Sequence, residues 1–571
     1  MVVRATTATT ATVPSGIVDL IGSGDSVYSL RKMRGAYPGA AIRVRRSSDN
    51  AETDIQFIGM AGIDTAGLLI FAGSASCFVT TWYDQSGNGR NLVQATAGSQ
   101  PRIVNAGVID SINERPTVVF DGVNDTLIGS LNTGISGDVE FTLNTVASYN
   151  LSNNASFATF VFFGSGPAGQ GFHYMKRGAS NDIWEGFTLS TQLNTTTPPT
   201  PSTLHTRTCV RRPSDSVRWE SVHSGGNNGY SINNTNVVNV TNSPLYVGSF
   251  LDSPAYSSIS ISELILVNSA VEPLNRSMLE MNQGAYYKID VTNFALDLVR
   301  NSSAASFSVR KLRRFYGGPA IRVRRSSDNA EQDIGFTQSG DLHTESLLSF
   351  VDGYSAFVAT MYDQSGYENH ATQATSSLQP QIVFDGSVNY VNNRAAICYK
   401  NNDFLSTSAV SLYPTAVNFN FVARPFDNAA ARCFLTKCSG SNPSPFDFRS
   451  LSGSPTATLR VSAGLTGGSG FPLAGGANGF SPGIYKVWTA NASATAGSVD
   501  AWENGIQGVT AQTTTAYGDT GTALLLGKRA DNAATFIGDS SEVITHAVII
   551  DFNSRQAMER NQGSYYGITV E

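Results

Sequence analysis

The chain has 571 residues, of which 14% are charged and 10% aromatic, and its formal net charge is −6. That balance gives no electrostatic basis for nucleic-acid binding, and no run approaches the roughly 18 apolar residues of a membrane-spanning helix. Abundant Gly, Ser, Thr and Asn beside Tyr, Phe and Val suit a β-rich architecture with many tight turns.

Residues 1–15 are rich in Thr and Ala and lack the apolar block of a secretory signal. They are expected to form a flexible arm or anchoring tail. Two near-copies of one stretch follow, 42–101 and 321–380, aligned without a gap at an offset of 321 − 42 = 279. The same offset relates Glu263 to Glu542 and Asn282-Gln283-Gly284 to Asn561-Gln562-Gly563. A duplication of this length predicts two large domains, 16–290 and 291–571.

Within each copy, 42–46 and 321–325 alternate apolar and basic residues, the pattern of a half-buried strand. Ile42 and Val44 are expected to face inward, with Arg43 and Arg45 on the other face. Arg45, Arg46, Asp49 and Asp54, with Arg324, Arg325, Asp328 and Asp333 in the second copy, are expected to form a structural network of ion pairs and turns. An anion site is disfavoured because carboxylates stand beside the guanidiniums. Segments 65–71 and 344–350 suggest short helices with Leu68-Leu69 and Leu347-Leu348 packed inward. Strands at 78–83 and 357–362 end in Tyr-Asp-Gln-Ser-Gly. There Asp84 and Asp363 accept backbone hydrogen bonds, Gln85 and Gln364 belong to the same motif, and Gly87 and Gly366 take positive φ.

From about residue 102 the pattern becomes short strands separated by turns, which predicts a two-sheet β-sandwich or jelly roll. Each unit closes with a short amphipathic helix, 274–287 and 554–566, ending in Asn-Gln-Gly-x-Tyr-Tyr. The five cysteines show no paired spacing, and Cys77 aligns with Ala356. Buried thiols are expected, with a Cys433–Cys438 bridge as the alternative. No zinc, EF-hand or phosphate-loop spacing occurs, so no metal or cofactor is expected.

Val44-Arg45-Arg46-Ser47-Ser48-Asp49 with Asp54-Ile55, followed by Tyr83-Asp84-Gln85-Ser86-Gly87 with Asn91 and Gln94, resembles the catalytic domain of fungal α-L-arabinofuranosidase B. The resemblance implies an all-β fold of two tandem concanavalin-like, laminin-G-like β-sandwich (jelly-roll) domains with short helices. Leu526-Gly527 with Asp531-Asn532 is similar to the family's Leu-Gly-x-x-x-Asp-Asn. This implies an acid/base residue at Asp531, and at Asp252 in the first unit. The family's nucleophile motif is approximated by Asp182-Ile183-Trp184-Glu185-Gly186-Phe187, which implies Glu185. In the second unit the corresponding region is expected at 446–449, where no glutamate occurs. The adjacent cysteines of the family's sugar pocket are absent.

Modules of this kind also occur in bacteriophage virion and tail-appendage proteins, and tandem copies behind a Thr/Ala-rich arm are similar to that setting. The expectation is therefore a non-catalytic virion structural or appendage protein, assembled in the host cytoplasm. It would bind other virion proteins through its arm, contact cell-surface or environmental glycans and form a homo-oligomer, without nucleic acid or membrane insertion. The alternative is an α-L-arabinofuranosidase-like retaining glycoside hydrolase acting on terminal arabinofuranosyl residues.

Overall fold

In the computed structural model the chain divides into two units, Met1–Thr292 and Asn293–Glu571. The structure describes residues 26–571 apart from a number of segments, the longest being 150–156, 195–201, 409–415, 451–458, 464–470, 474–481 and 513–521. The N-terminal arm, Asp252 and Asp531 fall outside the described residues, and only the backbone of Glu185 is described. The described chain is mostly antiparallel β-strand with few helices.

Unit one opens with β1 (Ser26–Ser29), β2 (Ile42–Arg46), β3 (Glu52–Ile55), α1 (Thr65–Ala72) and β4 (Cys77–Trp82). Ile42 and Val44 are fully buried while Arg43 and Arg45 lie half-exposed, as period-two alternation requires. Helix α1 is capped by Asp64, whose carboxylate accepts from the Gly67 N–H at 2.8 Å. It buries Leu68 but leaves Leu69 37% exposed, and α3 (Thr344–Val351) likewise buries Leu347 and leaves Leu348 38% exposed. The expectation that both leucines of each pair point inward is corrected. Adjacent helical residues are separated by about 100° around the axis, so a single turn against a sheet buries one of them.

The chain continues through β5 (Leu92–Val93), β6 (Arg102–Asn105), β7 (Val118–Asp121), β8 (Leu127–Asn132), β9 (Phe141–Tyr149), β10 (Phe157–Gly164), β11 (Gly171–Arg177), β12 (Asp182–Gly186), β13 (His205–Arg211), β14 (Pro244–Val247), β15 (Ser258–Val267) and α2 (Pro273–Tyr287). The ladder forks at β4. Its first residues pair with β6, and that branch runs β6–β7–β15–β9–β13. Its last residues pair with β5, and the second branch runs β5–β8–β14–β10–β11–β12. Alternate residues of both branches, including Val118, Phe120, Leu143 and Leu264 from one and Leu127, Val161, Phe163 and Tyr174 from the other, meet in one buried cluster. The two branches of this forked sheet therefore enclose a single core. Trp82 lies in it with no exposed surface.

Unit two repeats the plan with β16 (Ser303–Ser308), β17 (Ile321–Arg325), α3, β18 (Ala356–Met361), β19 (Ala371–Thr372), β20 (Gln381–Phe384), β21 (Ile397–Tyr399), β22 (Leu405–Ser406), β23 (Ala416–Pro425), β24 (Cys433–Cys438), β25 (Pro445–Ser450), β26 (Leu459–Ala463), β27 (Lys486–Ser493), β28 (Leu525–Leu526), β29 (Gly538–His546) and α4 (Phe552–Tyr566). The fork falls at β18, giving β20–β21–β29–β23–β27 and β19–β22–β28–β24–β25–β26. Cys77, Cys209, Cys398 and Cys433 are buried, and Cys433 and Cys438 stand at opposite ends of the extended strand β24, too far apart for the alternative bridge.

A buried clamp closes each unit. Glu263 on β15 has no exposed surface. Its Oε2 accepts from Arg31 Nε at 2.8 Å, Ser29 Oγ at 3.0 Å and Tyr287 Oη at 3.1 Å, and its Oε1 accepts from Gln283 Nε2 at 2.8 Å. Arg31 Nη1 donates to Asn282 Oδ1 at 2.6 Å, and its guanidinium lies 4.7 Å over the Tyr286 ring. Gly284 is needed because a Cβ there would meet Val291 Cγ2 at 2.7 Å and the Ile289 carbonyl at 2.8 Å. Every named residue of Asn-Gln-Gly-x-Tyr-Tyr thus has a place. Unit two rebuilds the clamp with Arg310, Ser308, Gln562 and Tyr566 around Glu542.

A second buried carboxyl follows β7. Asp125 is 6% exposed, accepts from the Asp121 N–H at 2.8 Å, and is pushed up to about 7 by burial. The folded state therefore holds a proton that the unfolded chain has released above its ordinary carboxylate pKa, so stability falls as pH rises through that window. Asp125→Asn keeps an acceptor for Asp121 and removes the titration. It is expected to match wild type near pH 4 and to be more stable at pH 8 by about 2 kcal/mol after solvent screening is allowed for. Thermal melts at the two pH values check this.

Candidate functional site

The repeated arginine and aspartate residues form surface and turn contacts at the sheet edge. Arg46 pairs with Asp49 at 2.6 Å and Arg43 with Asp54 at 2.8 Å, where Tyr83 Oη also donates at 2.9 Å. The hydrogen bond from Arg46 holds the Asp49 carboxyl down at about 2. Arg45 turns elsewhere, donating to Gln100 Oε1 at 2.7 Å and Asn50 Oδ1 at 2.9 Å. The second copy matches contact for contact: Arg325 with Asp328, Arg322 with Asp333, and Arg324 with Gln379 and Asn329.

Asp84 and Gln85 bind the backbone from inside. Asp84 Oδ1 accepts from the Val27 and Ser86 N–H groups at 2.9 and 2.8 Å, and Oδ2 from Ser86 Oγ at 2.6 Å and the Arg90 N–H at 3.1 Å. Gln85 Oε1 accepts from the Met33 N–H at 2.8 Å, while Nε2 donates to the Ser29 and Arg31 carbonyls at 3.1 Å each. Asp363 and Gln364 repeat these bonds. Asp84→Asn would place an NH2 against N–H donors, and urea denaturation is expected to show a loss of about 2 kcal/mol. These motif residues hold β1 and its loop in place.

The strand that carries Glu185 lies on the second branch of unit one. Glu185 on β12 pairs in register with His173 on β11, His173 with Phe162 on β10, and Phe162 with Tyr246 on β14. Phe162 and His173 stand outside the main core cluster, whereas their neighbours Val161, Phe163, Phe172 and Tyr174 belong to it. This register row therefore marks the face turned away from the core. Phe250 covers the row, its ring 4.7 Å from Phe162 and 5.2 Å from His173. Phe250-Leu251 leads directly into Asp252, and a bridge between Ser249 and Tyr256 ties the two ends of that segment. The strand position of Glu185 and Phe250, two residues before Asp252, thus both neighbour His173.

His173 itself was not legible as a site residue, because no histidine recurs between the copies. It is buried, its Nε2 lies 2.9 Å from Thr159 Oγ1, and burial pushes it down to about 3. The ring is neutral at ordinary pH and supplies bulk and dipole rather than charge. Among the described residues, no three His, Cys, Asp or Glu side chains are grouped to hold a metal ion.

The corresponding row of unit two reads Leu525–Thr436–Asp447–Ser462. Ser462 on β26 therefore holds the position of Glu185, and Asp447 that of His173. The expected correspondence of 446–449 with the Glu185 segment is corrected by one strand. The cause is the masking of a strand-level equivalence by divergent sequence in this half of the unit.

Both leading segments, 25–120 and 300–400, match the family model for the catalytic domain of α-L-arabinofuranosidase B. Among curated proteins, the probable α-L-arabinofuranosidase B of Aspergillus flavus is 35% identical over 97 residues, 16% of this chain and 19% of the relative. That of Aspergillus fumigatus is 40% identical over 72 residues, 12% of this chain and 14% of the relative. The chain thus spans about a fifth of the length of these relatives or less. A solved GH54 α-L-arabinofuranosidase soaked with a cyclic sulfate inhibitor aligns at 12% identity over 69% of this chain and 84% of its own, with a TM-score of 0.36, an overlap that carries no functional argument. The family match and the curated relatives overturn the expectation of a virion appendage: they point to the arabinofuranosidase alternative. The matched segments include Ser29, Arg31 and the Asp84 turn but stop before Glu185.

Proposed function

We propose that the chain is an α-L-arabinofuranosidase-like glycoside hydrolase, with a laminin-G-like, concanavalin-like sandwich in each unit and the hydrolytic site in unit one. The observation that carries this reading is that Glu185's strand position lies in register with His173, whose ring Phe250 covers, and that Phe250-Leu251 leads directly into Asp252. It is supported by the family match of the scaffold that bears them.

Retaining hydrolysis uses two carboxyl groups about 5–5.5 Å apart. In this reading Glu185 attacks the anomeric carbon of a terminal arabinofuranosyl residue, while Asp252 gives its proton to the departing oxygen. Asp252 then takes a proton from water, whose oxygen displaces Glu185 and frees the sugar. An acid that stays protonated near neutral pH needs a poorly solvated setting, and the apolar flank Phe250-Leu251 suits that need. Unit two has Ser462 where a nucleophile would be required, so Asp531 stands without its partner and the reading assigns hydrolysis to unit one alone.

The test is release of 4-nitrophenol from 4-nitrophenyl α-L-arabinofuranoside by the full chain. Turnover is expected in wild type and in Asp531→Asn, and is expected to vanish in Glu185→Gln. A wild type without turnover, or a Glu185→Gln protein as active as wild type, rejects the reading.

A further inference from the structure

A cleft of about 290 Å3 opens on the other branch of unit one, between Phe78, Gly98, Arg102, Val119, Asp121 and Asp125. Its floor is a register row across four strands, Arg45–Phe78–Arg102–Val119. These residues alternate with the core residues Val44, Cys77, Ile103 and Val118, so the row lies on the outer face of its sheet. The Arg45 guanidinium packs 5.3 Å over the Phe78 ring and donates to Gln100 and the Ala97 carbonyl. Arg102 is held by Asp110 through Nε at 2.8 Å and Nη2 at 3.1 Å. The walls are therefore fixed before any ligand arrives.

The carboxyl groups at the end of the cleft remain partly unused. Asp121 Oδ1 accepts from the Val123 and Asn124 N–H groups at 2.7 and 3.2 Å, leaving Oδ2 without a bond. Asp125, 6% exposed, accepts from the Asp121 N–H and lines the cleft beside Asp121. Water reaches the free oxygens of both carboxyl groups, and a ligand hydroxyl can take the place of that water. Two carboxyl groups disfavour an anion, and the neighbouring guanidiniums disfavour a bare cation. A neutral ligand bearing hydroxyls fits both constraints, and Phe78 and Val119 offer an apolar surface for a C–H face. The volume lies at the lower end of the range for small-molecule sites.

We propose that the Asp121–Asp125 cleft binds a single sugar residue of a neutral saccharide, at a site distinct from the Glu185 face. The choice of saccharide as ligand class rests on the hydrolase reading, but the site does not depend on catalysis. Unit two supplies an internal contrast. Its row reads Arg324–Phe357–Gln381–Cys398, and Lys400 stands in place of Asp121 with its ammonium 4.1 Å over the Phe384 ring. Asp403 still accepts from the Lys400 N–H at 2.7 Å, but the second carboxylate and the arginine are gone. The inference is therefore specific to unit one.

The test is calorimetric titration of the full chain carrying Glu185→Gln and Asp252→Asn with arabinotriose. Binding at the cleft is expected to weaken at least tenfold when Asp121→Lys, the unit-two residue, is added. Gly98→Trp should act in the same way, because Gly98 lines the cleft and a Cβ there meets no atom within 4 Å. In the otherwise wild-type chain, Asp121→Lys should leave hydrolysis of 4-nitrophenyl α-L-arabinofuranoside within twofold. An isotherm unchanged by both substitutions overturns the proposal. So does a response to calcium chloride alone that Asp121→Lys abolishes, with none to arabinotriose. Cleft-dependent binding in a chain that hydrolyses nothing would sink the hydrolase reading and leave this site standing.

Discussion

Glu185→Gln is expected to reduce turnover of an aryl arabinofuranoside by about 10³-fold or more, the scale on which loss of an attacking group is felt. Glutamine keeps the size and hydrogen-bonding reach of glutamate but carries no negative charge to attack the anomeric carbon. The partner in register is His173, which burial keeps neutral, so the residue directly across the ladder carries no charge that the substitution would unbalance. Stability should therefore change little while kcat collapses, and KM should move much less than kcat. Parallel thermal melts and steady-state kinetics separate the two quantities. A variant that loses activity only because it melts early would place Glu185 in the scaffold instead.

Glu263→Leu is the largest stability change the fold predicts, about 3–5 kcal/mol. The substitution strips the Arg31 guanidinium of its charge partner at a depth where water does not replace it, and it also orphans Ser29, Gln283 and Tyr287. Because the cost is mostly that of an uncompensated buried charge, adding Arg31→Met to Glu263→Leu should return a large part of it. Denaturant titration of the single and double variants measures the coupling. Loss of less than 1 kcal/mol in the single variant would mean that the clamp is not what closes unit one. The matching experiment at Glu542 and Arg310 should give the same pattern in unit two.

The repeated surface motifs were easy to read because they are local. Arg43 and Asp54 lie across one hairpin, Arg46 and Asp49 within one turn, and Asp84 serves backbone groups of its own turn as well as β1. The clamp was half legible. Ser29, Arg31, Glu263, Gln283 and Tyr287 all recur at the 279-residue offset, yet no local pattern says that the other four, so far apart, share the buried Glu263 carboxylate. The strand equivalence behind the candidate site was not legible at all. Ser462 and Glu185 are related by counting hydrogen-bonded neighbours from the fork, and flanking sequence gives no hint of that count. Burial of a carboxyl such as Asp125 is equally invisible beforehand, since Asn-Asp in a turn usually signals an exposed loop.

The clamp also bears on how each unit comes to fold as it is made. Arg31 and Glu263 are 232 residues apart, as are Arg310 and Glu542. Strand β15, which arrives near the end of its unit, pairs with β1, β7 and β9, all synthesised well before it. Until it emerges those strands lack a neighbour they later share, and their unpaired edges are open to wrong partners. Such non-local pairing slows folding and lengthens the time spent as an aggregation-prone intermediate. The helix that completes the clamp comes last of all, so a nascent unit gains its closing contacts only when nearly its whole length has left the ribosome.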